Sequence, residues 1–163
     1  FTLHPLKGSR TYRFITIGLT FLLALLAVNN FSSYNSSEEI DGAKESIIKS
    51  LESEKEKRES DKLFAEAIDI YIDDIEGSLT EVRFRQHSLY RIIGCLAALL
   101  GIVFLRLRKT IGLHFFVAGL IFCLFTGFFT LGFGIIGWLL NLLYFVILLA
   151  FGFYFYFKRT QLT

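Results

Sequence analysis

Residues 38–81, EEIDGAKESIIKSLESEKEKRESDKLFAEAIDIYIDDIEGSLTE, carry every Asp and Glu of the chain, fifteen in all. No acid precedes Glu38 or follows Glu81, and both flanks are dominated by long apolar runs. An ionised carboxylate at the centre of a spanning helix costs about 2.5–3.5 kcal/mol on insertion scales. A chain that confines its acids to one window is therefore keeping them in water and the rest in hydrocarbon. The expected fold is an all-α integral membrane protein. Four transmembrane helices are expected, with a helical extracytoplasmic segment between the first and the second.

Composition agrees with that reading. The chain is 53% hydrophobic, with a mean hydropathy of +0.53, nineteen Phe and one Pro, which is more apolar than an ordinary soluble domain. The formal charge of +2 conceals a segregation. Residues 38–85 hold all fifteen acids against eight bases, a local net of −7, and the remainder holds nine bases and no acid.

A helix of about 20 residues crosses a hydrocarbon core of about 30 Å, with a usable lower limit near 17. On that scale the expected spans are 14–31, 89–105, 111–131 and 135–157. They leave a cytoplasmic N-terminal segment at 1–13, an acidic amphipathic segment at 32–88 and a basic cytoplasmic turn at 106–110. A tight extracytoplasmic turn at 132–134 and a cytoplasmic tail at 158–163 complete the layout. Lys7, Arg10, Arg13, Arg106, Arg108, Lys109, Lys158 and Arg159 then fall on one side. The bias of Lys and Arg towards the cytoplasm puts both termini there and residues 32–88 outside, in a bacterial inner membrane or a eukaryotic plasma membrane or endomembrane. The first apolar run also resembles a signal peptide, but 24–30 lacks a small-x-small cleavage site, so an uncleaved signal anchor is expected. Because the sequence starts at Phe1 and not at Met, residues upstream of it are expected.

The acidic segment is rich in helix formers and has no Pro between Glu38 and Gln86. Ser36 and Ser37 are placed to cap a helix whose first turn holds Glu38 and Glu39. Apolar residues recur at helical spacing at Ile40, Ile47, Ile48 and Leu51, and again at Phe64, Ile68, Tyr71, Ile75, Leu79 and Val82. Two shapes fit: an antiparallel hairpin turning near 59–61, or one long helix with an exposed polar middle. The hairpin is preferred, with a kink at Gly77 and Ser78 leading into the second span. The segment is either a solvated connector or a docking surface. In the second case Phe64, Ile68, Tyr71 and Ile75 are candidate partner contacts, and the negative field selects a basic partner.

Reactive chemistry is sparse. The carboxylates are interleaved with Lys and follow no calcium-loop spacing, so no metal site is expected. Inside the spans the polar groups are Thr16, Thr20, Cys95, His114, Cys123, Thr126, Thr130 and Asn141, with Arg91 near one end. His114 is expected to make an interfacial hydrogen bond and not to ligate a cofactor, and no cofactor is expected. Cys95 and Cys123 sit at comparable depth and are expected to be buried free thiols. Asn30-Phe31-Ser32 and Asn35-Ser36-Ser37 match the glycan acceptor pattern, but both lie close to the membrane.

Helix packing is better represented than catalysis. Gly94, Ala97, Ala98 and Gly101 in the second span, and Gly119, Cys123 and Gly127 in the third, are small residues at four-residue spacing that allow close backbone approach. They form the expected packing seam. Asn141, the one strongly polar group deep in the fourth span, is a candidate for specifying a partner helix. Arg91, Tyr154, Tyr156, Lys158 and Arg159 are expected to anchor the helices at the headgroups. The expected partners are membrane lipids and a membrane-protein partner or a second copy of the chain, and not nucleic acid. No enzyme is expected. The leading functional expectation is a non-catalytic protein acting through protein–protein contacts, as an accessory, assembly or scaffold subunit of a larger membrane complex. The alternative is an oligomeric pore or carrier for a neutral or lipidic solute.

Overall fold

The computed structural model describes residues 10–58, 61–107 and 109–158, and among these it is helical without strands. The elements are α1 (Arg10–Asn35), a 3₁₀ turn (Ser37–Glu39), α2 (Ile40–Lys57), α3 (Lys62–Ser78), α4 (Glu81–Arg106), α5 (Ile111–Leu131) and α6 (Ile135–Lys158). Four of them, α1, α4, α5 and α6, are long and apolar enough to cross a membrane, which gives the chain an integral membrane location. Lys7, Arg108 and Arg159, expected among the cytoplasmic bases, lie outside the described residues, as do Glu59 and Ser60 of the expected hairpin turn.

The bundle is built around α4, which packs against α5 most extensively and against α1 on another side, while α6 packs on α5. Its core comprises Leu19 and Leu23 of α1, Cys95, Ala98, Ile102 and Leu105 of α4, Phe116, Leu120 and Cys123 of α5, and Tyr144, Ile147 and Phe155 of α6. At the end near the chain termini, Tyr12 donates to the Leu105 carbonyl at 2.6 Å and meets Phe155 edge-on, so the first and last spans close over α4 there. Between α5 and α6, Gly132 adopts φ +81°, a left-handed conformation that glycine takes without steric cost, and its N–H bonds the Phe128 carbonyl.

Helix α1 continues past the polar stretch 29–33, because Asn30 turns inward instead of breaking the helix. Its amide donates to the Leu26 carbonyl at 2.6 Å and to the Tyr144 hydroxyl at 2.9 Å. The expected serine caps of the acidic segment are not formed: Ser36 Oγ instead donates back to the Ser32 carbonyl at 3.0 Å, and Ser37 is buried. The turn after α1 thus uses the Ser36 hydroxyl and buries Ser37, the two residues expected to cap the segment.

Helices α2 and α3 pack together as a hairpin, joined by Lys55 and Asp69 at 2.5 Å and by Arg58 stacked 4.8 Å above the Phe64 ring. Asp61 caps α3 by accepting from Phe64 N at 3.2 Å. The kink expected at Gly77 and Ser78 is a complete break. Helix α3 ends at Ser78, and Thr80 adopts an extended conformation and caps α4 by accepting from Arg83 N at 3.4 Å.

Asp74 fastens this hairpin to the bundle. Its carboxylate accepts from Ile136 N at 2.9 Å, in the first turn of α6, and from Ser78 Oγ at 3.2 Å. It therefore satisfies a donor that α6 cannot pair internally and places negative charge at the positive end of the helix dipole. Replacing Asp74 with Ala is expected to cost about 1 kcal/mol. Faster amide exchange and protease cleavage confined to α3 and the 132–134 turn would register it, and unchanged exchange there would contradict the latch.

Candidate functional site in the hairpin-end core

The interior of the bundle is divided by polarity. Towards the chain termini it is mainly apolar, with Ile102, Leu105, Phe116 and Phe155 fully buried and the buried Thr16 hydroxyl bonded to the Arg13 carbonyl of its own helix. Towards the hairpin it contains His87, Ser88 and Arg91 from α4, Thr126 and Thr130 from α5, Asn141 and Tyr144 from α6 and Asn30 from α1. Every spanning helix contributes to this polar half.

Arg91 lies at its centre. The side chain was expected to reach the headgroups, but it is only 5% exposed and points into the bundle. Nη2 donates to the Leu140 carbonyl at 2.6 Å and to Asn141 Oδ1 at 2.9 Å, and the guanidinium carbon stands 4.4 Å from the Tyr144 ring centroid. Backbone, amide and ring electrons together replace the solvation that headgroups would supply. Nε has no partner. No acid follows Glu81, in the first turn of α4, and Asp74, the acid that docks on α6, is engaged at Ile136.

Around this cation the remaining polar atoms are arranged in order. Asn141 Nδ2 donates to the Gly137 carbonyl at 2.8 Å, and the side chain fills the space that Gly127 leaves by having no Cβ. The Tyr144 hydroxyl receives Asn30 and lies 3.6 Å from Cys95 Sγ, and Cys123 Sγ donates to the Arg91 carbonyl at 3.8 Å. Both cysteines are buried free thiols. One turn from Arg91 towards the hairpin, His87 Nδ1 lies 3.1 Å from Thr130 Oγ1. The Thr130 hydroxyl gives its proton to the Thr126 carbonyl at 2.7 Å, so it accepts from His87. Nδ1 thus carries the hydrogen, and Nε2, which has no partner, presents a lone pair.

The residues expected in a packing seam are distributed over two contacts. Gly94 and Ala98 of α4 lie buried against Gly119 and Cys123 of α5, and Gly101 against Phe116, and a Cβ built on Gly119 would come 2.6 Å from Ala98 N. Gly112 belongs to the same contact, since a Cβ there would lie 2.6 Å from the Gly101 carbonyl oxygen. Its seven-residue spacing from Gly119 is the sequence signal for it. Ala97 is half-buried, and Gly127 faces Asn141 on α6 instead of α4.

Two groups of expected partner contacts are used within the chain. Asn141 is 1% exposed and holds Arg91, so its polarity is spent on the chain's own α4. In α3, Ile68 and Ile75 are buried and Phe64 and Tyr71 half-buried, because α2 and α6 cover that stripe. Among the expected anchors, Tyr154 is half-buried beside Phe155, Tyr156 is exposed, Lys158 ends α6 and Arg159 lies outside the described residues. His114 is exposed, with Nδ1 3.3 Å from the Thr110 carbonyl. Sequence reasoning missed His87, Asn30 and Tyr144 as members of one polar system, and Asp74 as the contact between α3 and α6. The four-residue spacing of His87 and Arg91 at the head of an apolar helix was the available signal.

Among the described residues, no three His, Cys, Asp or Glu side chains converge to hold a metal ion. Comparison with family models, curated proteins and solved structures gave no match in any of the three.

Proposed function

We propose that this chain is a non-catalytic integral membrane protein that acts through protein–protein contacts, as an accessory, assembly or scaffold subunit of a larger membrane complex. The observation that carries the reading is the outer face of α1. Phe14, Ile17, Phe21, Leu25, Val28 and Phe31 are all more than half exposed there, at the three- and four-residue spacing with which one helix lies along another. Gly18 adjoins that stripe. A Cβ built on it meets nothing within 4 Å, whereas Gly94, Gly101, Gly112, Gly119 and Gly127 are all pressed against a neighbouring helix. A close-approach residue without a helix against it suits a partner helix in the bilayer. In this reading the acidic hairpin faces the outside, since Arg10, Arg13, Arg106, Lys109 and Lys158 lie at the other end of the spans.

Gly18→Leu tests the reading cleanly, because the substitution touches nothing in the chain itself. Purification in mild detergent is expected to recover a membrane-protein partner, and the Leu variant to lose it while keeping its own unfolding temperature. A lone, partner-free species from native membranes would overturn the proposal. A second reading, the oligomeric carrier for a lipidic solute, is favoured by an apolar groove of about 320 Å³ between α5 and α6, lined by Leu113, Val117, Leu148, Gly152 and Phe153. Flux in proteoliposomes no greater than in empty vesicles would remove it.

A further inference from the structure

We propose that the partner seated on the outer face of α1 is a different protein and not a second copy of this chain, and that its helix carries carboxylates at the level of Arg10 and Arg13. The inference rests on the reading of that face as a partner contact, and adds the chemistry of what covers it.

The apolar stripe of α1 ends in charge. Arg10 lies four and seven residues before Phe14 and Ile17, and Arg13 four before Ile17, so both stand on the face that the stripe occupies. Both are exposed, and among the described residues they line, with Phe14 and Ile17, a cavity of about 290 Å³. The ion pairs found among the described residues all lie in the acidic hairpin, so neither guanidinium has a carboxylate beside it there. Gly18 is about 7.5 Å along the helix axis from Arg13 and about 12 Å from Arg10. A helix drawn close at Gly18 therefore passes both guanidinium groups, and its own charge decides whether it stays.

A second copy inserted in the same orientation fails that condition. Outside residues 38–81 the chain contains no Asp or Glu, and Arg106, Lys109 and Lys158 flank α4, α5 and α6 at the same end as Arg10 and Arg13. Whichever of its spans were laid on α1, the copy would set base against base, and like charges across a contact exclude a wrong partner. The stripe and Gly18 favour association, whereas the charges forbid the self-pairing that packing alone would allow. Carboxylates at this level turn the repulsion into attraction, because each guanidinium offers parallel N–H donors that match a carboxylate. A phospholipid phosphate also meets the two charges, but it makes no use of the close approach open at Gly18.

A charge-reversed copy supplies a defined probe. Full-length Arg10→Glu/Arg13→Glu presents the same stripe with carboxylates at its end, and both side chains replaced are exposed. Wild type and variant, labelled as fluorescence donor and acceptor, are reconstituted together in phosphatidylcholine vesicles. The mixed pair is expected to associate about tenfold or more tightly than wild type with itself or variant with itself, because ion pairs replace like-charge contacts. Gly18→Leu in either copy is expected to abolish the energy transfer. If the reversed charges disturb insertion of α1, the neutral Arg10→Gln/Arg13→Gln decides instead, and is expected to self-associate more tightly than wild type by a smaller factor. Wild-type self-association as tight as the mixed pair would overturn the proposal, as would a neutral variant no more associated than wild type. A mixed pair that survives Gly18→Leu would overturn it by placing the contact elsewhere. Repetition with phosphatidylserine in the vesicles separates the lipid source: pairing that persists supports carboxylates on a partner helix, and loss of the charge dependence would assign both arginines to headgroups and overturn it. Recovery of a partner from native membranes is a separate measurement, so the partner reading and this inference fail independently.

Discussion

Gly101→Leu is expected to separate α4 from α5 and abolish the cooperative unfolding transition of the purified protein. A Cβ at this position already falls on the backbone nitrogen of Phe116, and it lies 2.8 Å from both the Gly112 carbonyl oxygen and Phe116 Cα. Those neighbours are main-chain atoms of a packed helix and cannot rotate aside. Even Gly101→Ala therefore forces the two axes apart, at a cost of about 1–3 kcal/mol, and the longer leucine side chain exceeds that range. The damage propagates, because Gly94, Ala98 and Gly119 depend on the same interaxial distance. Gly42→Ala provides the opposite sign. Gly42 lies in α2 with nothing within 4 Å of its Cβ position, so there the methyl group only improves helix propensity, by about 0.5–1 kcal/mol. Thermal unfolding of both variants in one detergent would decide the matter. A wild-type melting curve for Gly101→Leu would show that the α4–α5 contact does not hold the bundle.

How far the sequence anticipates this arrangement depends on the range of the interaction. Span positions are legible because hydropathy and charge exclusion act within one segment: α5 and α6 begin at Ile111 and Ile135, where the apolar runs begin. The close contact of α4 with α5 is legible in the four-residue spacing of small residues, since only small side chains allow such approach. The inward turn of Arg91 is not legible. Snorkelling and burial start from the same position near a span end, and the outcome depends on Leu140, Asn141 and Tyr144, some fifty positions away. The same holds for Asp74, whose use becomes visible only when α3 is seen resting on the first turn of α6. Asn30 also reads as the polar end of a span until Tyr144 is found opposite it. Local periodicity thus defines the elements, whereas the polar half of the core is assembled from contacts between them.

Within that polar half, Asn141 is a position where loss of polarity has a large consequence. Asn141→Leu is expected to destabilise the bundle by about 2–4 kcal/mol, combining the loss of an acceptor for a buried guanidinium with a branched side chain pressed against Gly127. Asn141→Asp keeps the shape and the acceptor and adds a negative charge beside Arg91. It gives up the bond from Nδ2 to the Gly137 carbonyl and pays for desolvating a carboxylate, two costs that oppose the new ion pair with Arg91. The net change expected is within about 1 kcal/mol of wild type, so the polar substitution is the better tolerated of the two. Denaturant titration of reconstituted protein would rank them. A leucine variant as stable as the aspartate one would show that Arg91 does not depend on Asn141.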